Sequence, residues 1–314
     1  MELKALFFNR AGRLRSGWRL LIFVLLYAIL FIALGYSLRI ALLAATIFHL
    51  HPGMVVQDFA NRLLLLLPAL IAGWLCCWRL EGLPWRALGL WMHRFWFSDF
   101  IAGSLIGAGS LIVAATIAFG AGRLRFTFTG RAQPGRVVHA ACATIVVFVI
   151  AALAEEAIFR GYPLQTLTRA GLIWFGVLLT SFPFAAVHLD NPNVVAGFTF
   201  ANTALAGVWL AAAYLRTRSL WFPLGVHWAW NWAQGSVFGI PVSGIKITDY
   251  PVFRAMDHGP AWLTGGSYGL EGGAACTIAL VLSTIYIWRT SLVKATSEME
   301  VMTSGENPIR RAEN

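Results

Sequence analysis

Charge is scarce in this chain. Of its 314 residues only 14 are Asp or Glu and 24 are Lys or Arg, and the charged share of 12% is about half of the roughly 25% found in a soluble domain. So few charged side chains could not cover a water-facing surface of this size, which excludes a soluble enzyme, a disordered chain and a fibrous protein. Cysteine is equally sparse. Cys76, Cys77, Cys142 and Cys276 all fall in apolar stretches, no loop carries a pair, and the adjacent Cys76 and Cys77 cannot form a C-x-x-C redox pair, so a disulfide framework is not expected. There is no H-E-x-x-H zinc helix and no Gly-x-Gly-Asp sequence. The run Gly265-Gly266-Ser267-Tyr268-Gly269 matches G-x-S-x-G, but that motif needs a strand-turn-helix elbow, which an all-helical chain does not offer.

What is plentiful is apolar surface. Hydrophobic residues make up 58%, mean hydropathy is +0.69, and 14 Trp with 22 Phe suit aromatic belts at membrane interfaces. Eight segments are apolar over close to a bilayer's thickness, at about 20–38, 57–78, 100–122, 137–159, 171–189, 194–215, 219–237 and 269–288. The expected fold class is therefore all-α, a polytopic integral membrane protein of about eight transmembrane helices. The segment after Lys4, Arg10, Arg13, Arg15 and Arg19 is too long for a signal peptide and reads as an uncleaved anchor. With the N-terminus inside and eight crossings, the inside segments carry twice the Lys and Arg of the outside loops, so both termini are expected in the cytoplasm. The loop with Arg123, Arg125, Arg131 and Arg136 goes against that count. The net charge of +10 is read as orientation; no soluble basic domain exists to carry it, and no nucleic-acid partner is expected. The pairs Gly103–Gly107 and Gly269–Gly273 fit G-x-x-x-G and predict close helix packing. The tail from Arg289, with Gly305 and Pro308, reads as a loose polar end.

Ionisable groups inside apolar segments are costly and become functional candidates. Glu155-Glu156-Ala157-Ile158-Phe159-Arg160 closes the fourth segment. Glu156 and Arg160, four apart, share a helix face and form a natural ion pair, which leaves Glu155 facing elsewhere. A carboxylate in a low-dielectric site can act as a base, although the cluster could equally mark the membrane edge. Phe184 and His188 are also four apart and predict a shared helix face, as do His227 and Asn231 in His227-Trp228-Ala229-Trp230-Asn231. Taken together, Glu155, His188, His227 and Asn231 supply a base, two imidazoles and a carboxamide donor. That set suffices for water attack on a peptide bond with stabilisation of the oxyanion. Glu155, His188 and His227 could also ligate zinc; interhelical hydrogen bonding is the bland alternative.

In this order, E-E-x-x-x-R, F-x-x-x-H and H-x-x-x-N resemble the CPBP family of CAAX prenyl proteases and bacteriocin-processing (Abi) membrane proteases. The resemblance covers about residues 137–237. It implies a helical intramembrane endopeptidase whose groups meet in an intramembrane cavity. Glu155 and His188 would activate water, His227 and Asn231 would hold the oxyanion, and Glu156 and Arg160 would organise the site. No tightly bound metal is favoured, with zinc as the alternative. The expected organisation is N-terminal helices over 1–136, a catalytic core over 137–237, a loop and last helix over 238–288, and a tail over 289–314. The expected partners are the lipid bilayer and a hydrophobic or lipidated protein or peptide substrate in a bacterial inner membrane. The alternatives are a non-catalytic immunity or scaffold protein of the same fold and a proton-coupled transporter. The spans as drawn would put Glu155 and His188 at opposite membrane edges, so one boundary must be displaced or one helix broken.

Overall fold

The computed structural model describes residues 3–9, 12–50, 53–130, 133–195 and 197–304. Arg10, Arg131, Gly305 and Pro308 lie outside the described residues. The helices are α1 (Leu3–Phe7), α2 (Ser16–Ile47), α3 (Met54–Cys76), α4 (Trp96–Gly120), α5 (Pro134–Phe159), α6 (Tyr162–Arg169), α7 (Ile173–Ala186), α8 (Phe198–Thr217), α9 (Trp221–Trp232), α10 (Ala261–Thr264), α11 (Ala274–Arg289) and α12 (Ser297–Thr303). Two strands, β1 (Leu124–Phe128) and β2 (Phe253–Asp257), pair antiparallel.

Each of the eight apolar segments contains a helix, because without water the backbone must bond to itself. Among the described residues five helical stretches are long and apolar enough to cross a membrane: Ser16–Ile47, Val56–Glu81, Trp96–Gly120, Pro134–Arg169 and Phe198–Thr217. Ile173–Ala186 and Ala274–Arg289 are apolar but shorter. Five of the expected eight segments thus meet the length and composition of a span among the described residues. The chain is a polytopic helical membrane protein.

The chain divides into two compact units. The first comprises 1–91, 153–176 and 296–314, and the second 92–152 and 177–295. In the first unit α2 and α3 pack together, and α3 continues through a π turn, Cys77–Glu81, to Gly82, whose φ of 65° suits a residue without a Cβ. Phe23 stacks on Tyr162 at 5.5 Å over a core that includes Ala72, Cys77 and Leu88. The other face of α2 is bare: Ile29, Ile32, Ile40 and Leu43 are largely exposed, as befits a lipid-facing surface. Part of the supposedly loose tail is ordered. Thr296 caps α12 by accepting from the Met299 N–H at 3.2 Å, and the Met299 side chain is buried.

In the second unit α4 and α9 make the closest crossing. A Cβ at Gly103 would strike the Phe222 carbonyl, one at Gly107 the Val226 carbonyl, and one at Gly225 the Phe100 carbonyl. The Gly103–Gly107 expectation therefore holds. Gly269–Gly273 is a correction: these glycines sit in turns ahead of α11, and Gly269 has φ 99°, outside helical range. The basic loop contains an ordered strand. Leu124, Phe126 and Phe128 alternate with Arg125 and Thr127, so the segment forms a strand, with Phe126 against Phe238 at 5.3 Å and Phe128 against Phe253 at 5.6 Å.

Candidate active-site residues

The motif residues fall in both units. In the first, the end of α5 carries Glu155 and Glu156. The Glu156 carbonyl accepts from the N–H groups of both Arg160 and Gly161 at 2.8 Å. A Cβ at Gly161 would meet the Ala157 carbonyl, and Pro163 opens α6. The helix is therefore broken directly after the motif, at a position where the sequence demanded a break somewhere. Glu156 and Arg160 are both 0% exposed and pair at 3.3 Å. Gln165 Nε2 secures the turn by donating to the Arg160 carbonyl at 3.2 Å and to the Leu88 carbonyl at 2.9 Å. Glu155 is half-buried and within electrostatic reach of Arg160.

The second unit carries His188, His227 and Asn231. His188 departs from the expected helix: α7 ends at Ala186, three residues after Pro183, and His188 lies in the turn beyond. It still packs on Phe184, with ring centroids 4.8 Å apart. Its Nδ1 lies 2.7 Å from the Phe184 carbonyl. A carbonyl can only accept, so Nδ1 carries a proton and donates it to this bond.

His227 is buried and meets the Phe184 ring edge-on at 6.2 Å. Asn231, one turn further along α9, is half-buried. The tryptophans between and after them fix the helix: Trp228 Nε1 donates to Ser104 Oγ at 2.9 Å, and Trp232 Nε1 donates to the Ala141 carbonyl at 2.9 Å. Each indole satisfies its polar group while its ring fills the packing.

Glu271 escaped the sequence reading. Its Oε2 accepts from the Ser243 N–H at 2.6 Å and from the Ser243 hydroxyl at 3.0 Å. Asn202 Nδ2 holds the Glu271 and Gly273 carbonyls at 2.8 and 2.9 Å. Burial pushes the Glu271 carboxyl above its usual range, with the Ser243 bonds and the neighbouring His188 acting in the opposite direction. The signal was present, since Glu271 is an acid inside the apolar 269–288 segment, the criterion that singled out the other clusters.

Among the described residues no group of three or more His, Cys, Asp and Glu is placed to hold a metal ion.

Apolar helices of spanning length with buried ionisable side chains define a polytopic membrane protein with a polar site. Residues 137–233 match the family model of type II CAAX prenyl endopeptidase Rce1-like proteins, in agreement with the resemblance read from the three motifs. That family is one of proteases. An uncharacterized 24.3 kDa protein of Escherichia coli is 32% identical over 85 residues, 26% of this chain. The chain spans 38% of the length of that relative. No solved structure matches.

Proposed function

We propose that the chain is an intramembrane endopeptidase that hydrolyses a peptide bond in a membrane-associated protein, of the prenylated CAAX type or another lipid-tethered or transmembrane peptide. The observation that carries this reading is the family match itself, which spans Glu155, Glu156, Arg160, His188, His227 and Asn231 together.

The reaction is written on side chains and water. His188 Nε2, with Glu155, takes a proton from water as its oxygen adds to the scissile carbonyl carbon. His227 and Asn231 donate to the oxygen that becomes negative. The protonated base then gives its proton to the leaving nitrogen as the C–N bond breaks, releasing an acid and an amine. The Glu156–Arg160 pair positions the end of α5 and touches no reacting atom. Both termini are assigned to the cytoplasmic side of a bacterial inner membrane.

The test is cleavage of a farnesylated CAAX peptide and a panel of membrane-tethered peptides by protein in liposomes. Loss of cleavage in Glu155→Ala and His188→Ala, in variants that keep their unfolding temperature, supports the reading. Full cleavage by both variants refutes the assigned base. No cleavage by folded wild type favours the scaffold alternative.

A further inference from the structure

A cavity of about 430 Å³ opens in the first unit, where the start of α2, the π turn after α3 and the end of α6 meet. Its wall carries Arg13, Arg15, Arg19 and Arg169, with Asn9 beside them and Glu81 as the one acid among the described lining residues. Glu81 is already engaged: it pairs with Arg19, pairs with Arg169 at 2.5 Å, and accepts from the Thr166 hydroxyl at 2.5 Å.

Two buried guanidiniums thus share one carboxylate, with side chains 10% exposed for Arg19 and 2% for Arg169. Arg19 Nε is buried with no hydrogen-bond partner in the structure. Arg13 and Arg15 add two more positive charges at exposed positions, and the Arg15 fork is fixed by its Nε donating to the Ala5 carbonyl at 2.9 Å. Four guanidiniums on one wall, one of them with a buried Nε–H that finds no partner, make a positive surface that favours an added anion. Arginine forks bind phosphate through parallel N–H bonds.

Position narrows the ligand further. Ser16–Ile47 and Val56–Glu81 are both candidate spans, and the cavity lies at the Ser16 end of one and the Glu81 end of the other. That is the boundary between hydrocarbon and water. Trp78 and Trp85, half exposed near the same ends, suit an interfacial belt. An orientation signal alone requires neither a cavity nor buried arginines.

We propose that this cavity binds a phosphate group, with Arg19 and Arg169 as inner donors and Arg13 and Arg15 as outer ones, the phosphate being that of an anionic phospholipid headgroup or free phosphate. None of its lining residues is a proposed peptidase residue, and the inference stands without that reading.

The test uses the full chain, delipidated in detergent. Binding of dioleoylphosphatidylglycerol, dioleoylphosphatidylcholine and sodium phosphate is followed by native mass spectrometry and by the unfolding temperature. The expected result is retention of phosphatidylglycerol over phosphatidylcholine, weakened by about tenfold in Arg13→Gln/Arg15→Gln. The single Arg13→Gln, at an exposed position, gives a smaller loss in the same direction if the double variant is unstable. Arg136→Gln/Arg254→Gln removes the same charge from exposed positions in the second unit and stays within about twofold of wild type. Protection by phosphatidylglycerol with sodium phosphate inert assigns the lipid; protection by sodium phosphate without lipid assigns the free ion. Equal lipid affinity in the two double variants, or no response to either probe, overturns the proposal.

Discussion

Glu156 and Arg160 stand one helical turn apart, both sealed from solvent, and face each other at 3.3 Å. Removing one charge takes from the other a buried ion-pair partner. Arg160→Gln should therefore cost about 3–5 kcal/mol of stability. Glu156→Gln/Arg160→Gln, which removes both charges, should cost distinctly less than the two single changes summed. Unfolding in detergent by heat or denaturant checks both values, and an additive double variant would remove the pair as the organising contact.

The donors on α9 are expected to act after substrate binds. Asn231→Ala should lower kcat about 10²–10³-fold with little change in KM. Steady-state kinetics on a cleaved peptide make the comparison. A change confined to KM would mean that Asn231 binds substrate and does not stabilise the transition state.

The crossing of α4 and α9 makes a prediction with a built-in control. Gly107→Val drives a side chain into the Val226 carbonyl and should cost at least about 1–3 kcal/mol. Gly109→Ala, on the same helix and facing open space, should be neutral or slightly stabilising. Unfolding temperatures of the two variants, measured side by side, decide it.

Glu271 should leave a mark on the pH dependence of stability. Its folded pKa is raised above the ordinary value of 4.5, so its contribution is fully present below that value and lost as pH rises through the folded pKa. Wild-type stability should therefore decline across that window. Glu271→Gln should flatten the profile, because the amide cannot ionise. Unfolding temperatures from mildly acidic to mildly alkaline buffer test this, and identical profiles for the two proteins would argue that the carboxyl does not titrate with folding.

Hydropathy carried most of the fold, because a bilayer demands one kind of backbone solution and every apolar segment took it. Helix lengths were less legible. The fourth segment was drawn to 159, where α5 ends, but Pro183 precedes the early end of α7 within a segment drawn to 189, so hydropathy ran past a break that a single residue makes. The β1–β2 ribbon was not foreseen, since Leu124–Phe128 is short and its partner is more than a hundred residues away. The Glu156–Arg160 pair could be read from spacing alone, because both residues share one helix. His188 could not be placed that way: its chemistry depends on a turn and on the Phe184 carbonyl, which spacing does not encode. Glu271 was passed over because it stands outside the motif spacing.

The glycine crossing of α4 and α9 bears on how a substrate is received. At Gly103, Gly107 and Gly225 backbone is seated on backbone, and beside those positions Trp228 stacks on Phe100 and donates to Ser104, which ties the same two helices together. His227 and Asn231 thus ride on a fixed mount. Under the proposed peptidase reading, adjustment to peptides of different shape would fall to the peptide's own backbone, and a bond held in a stiff, regular helix would be cut more slowly than one already unwound.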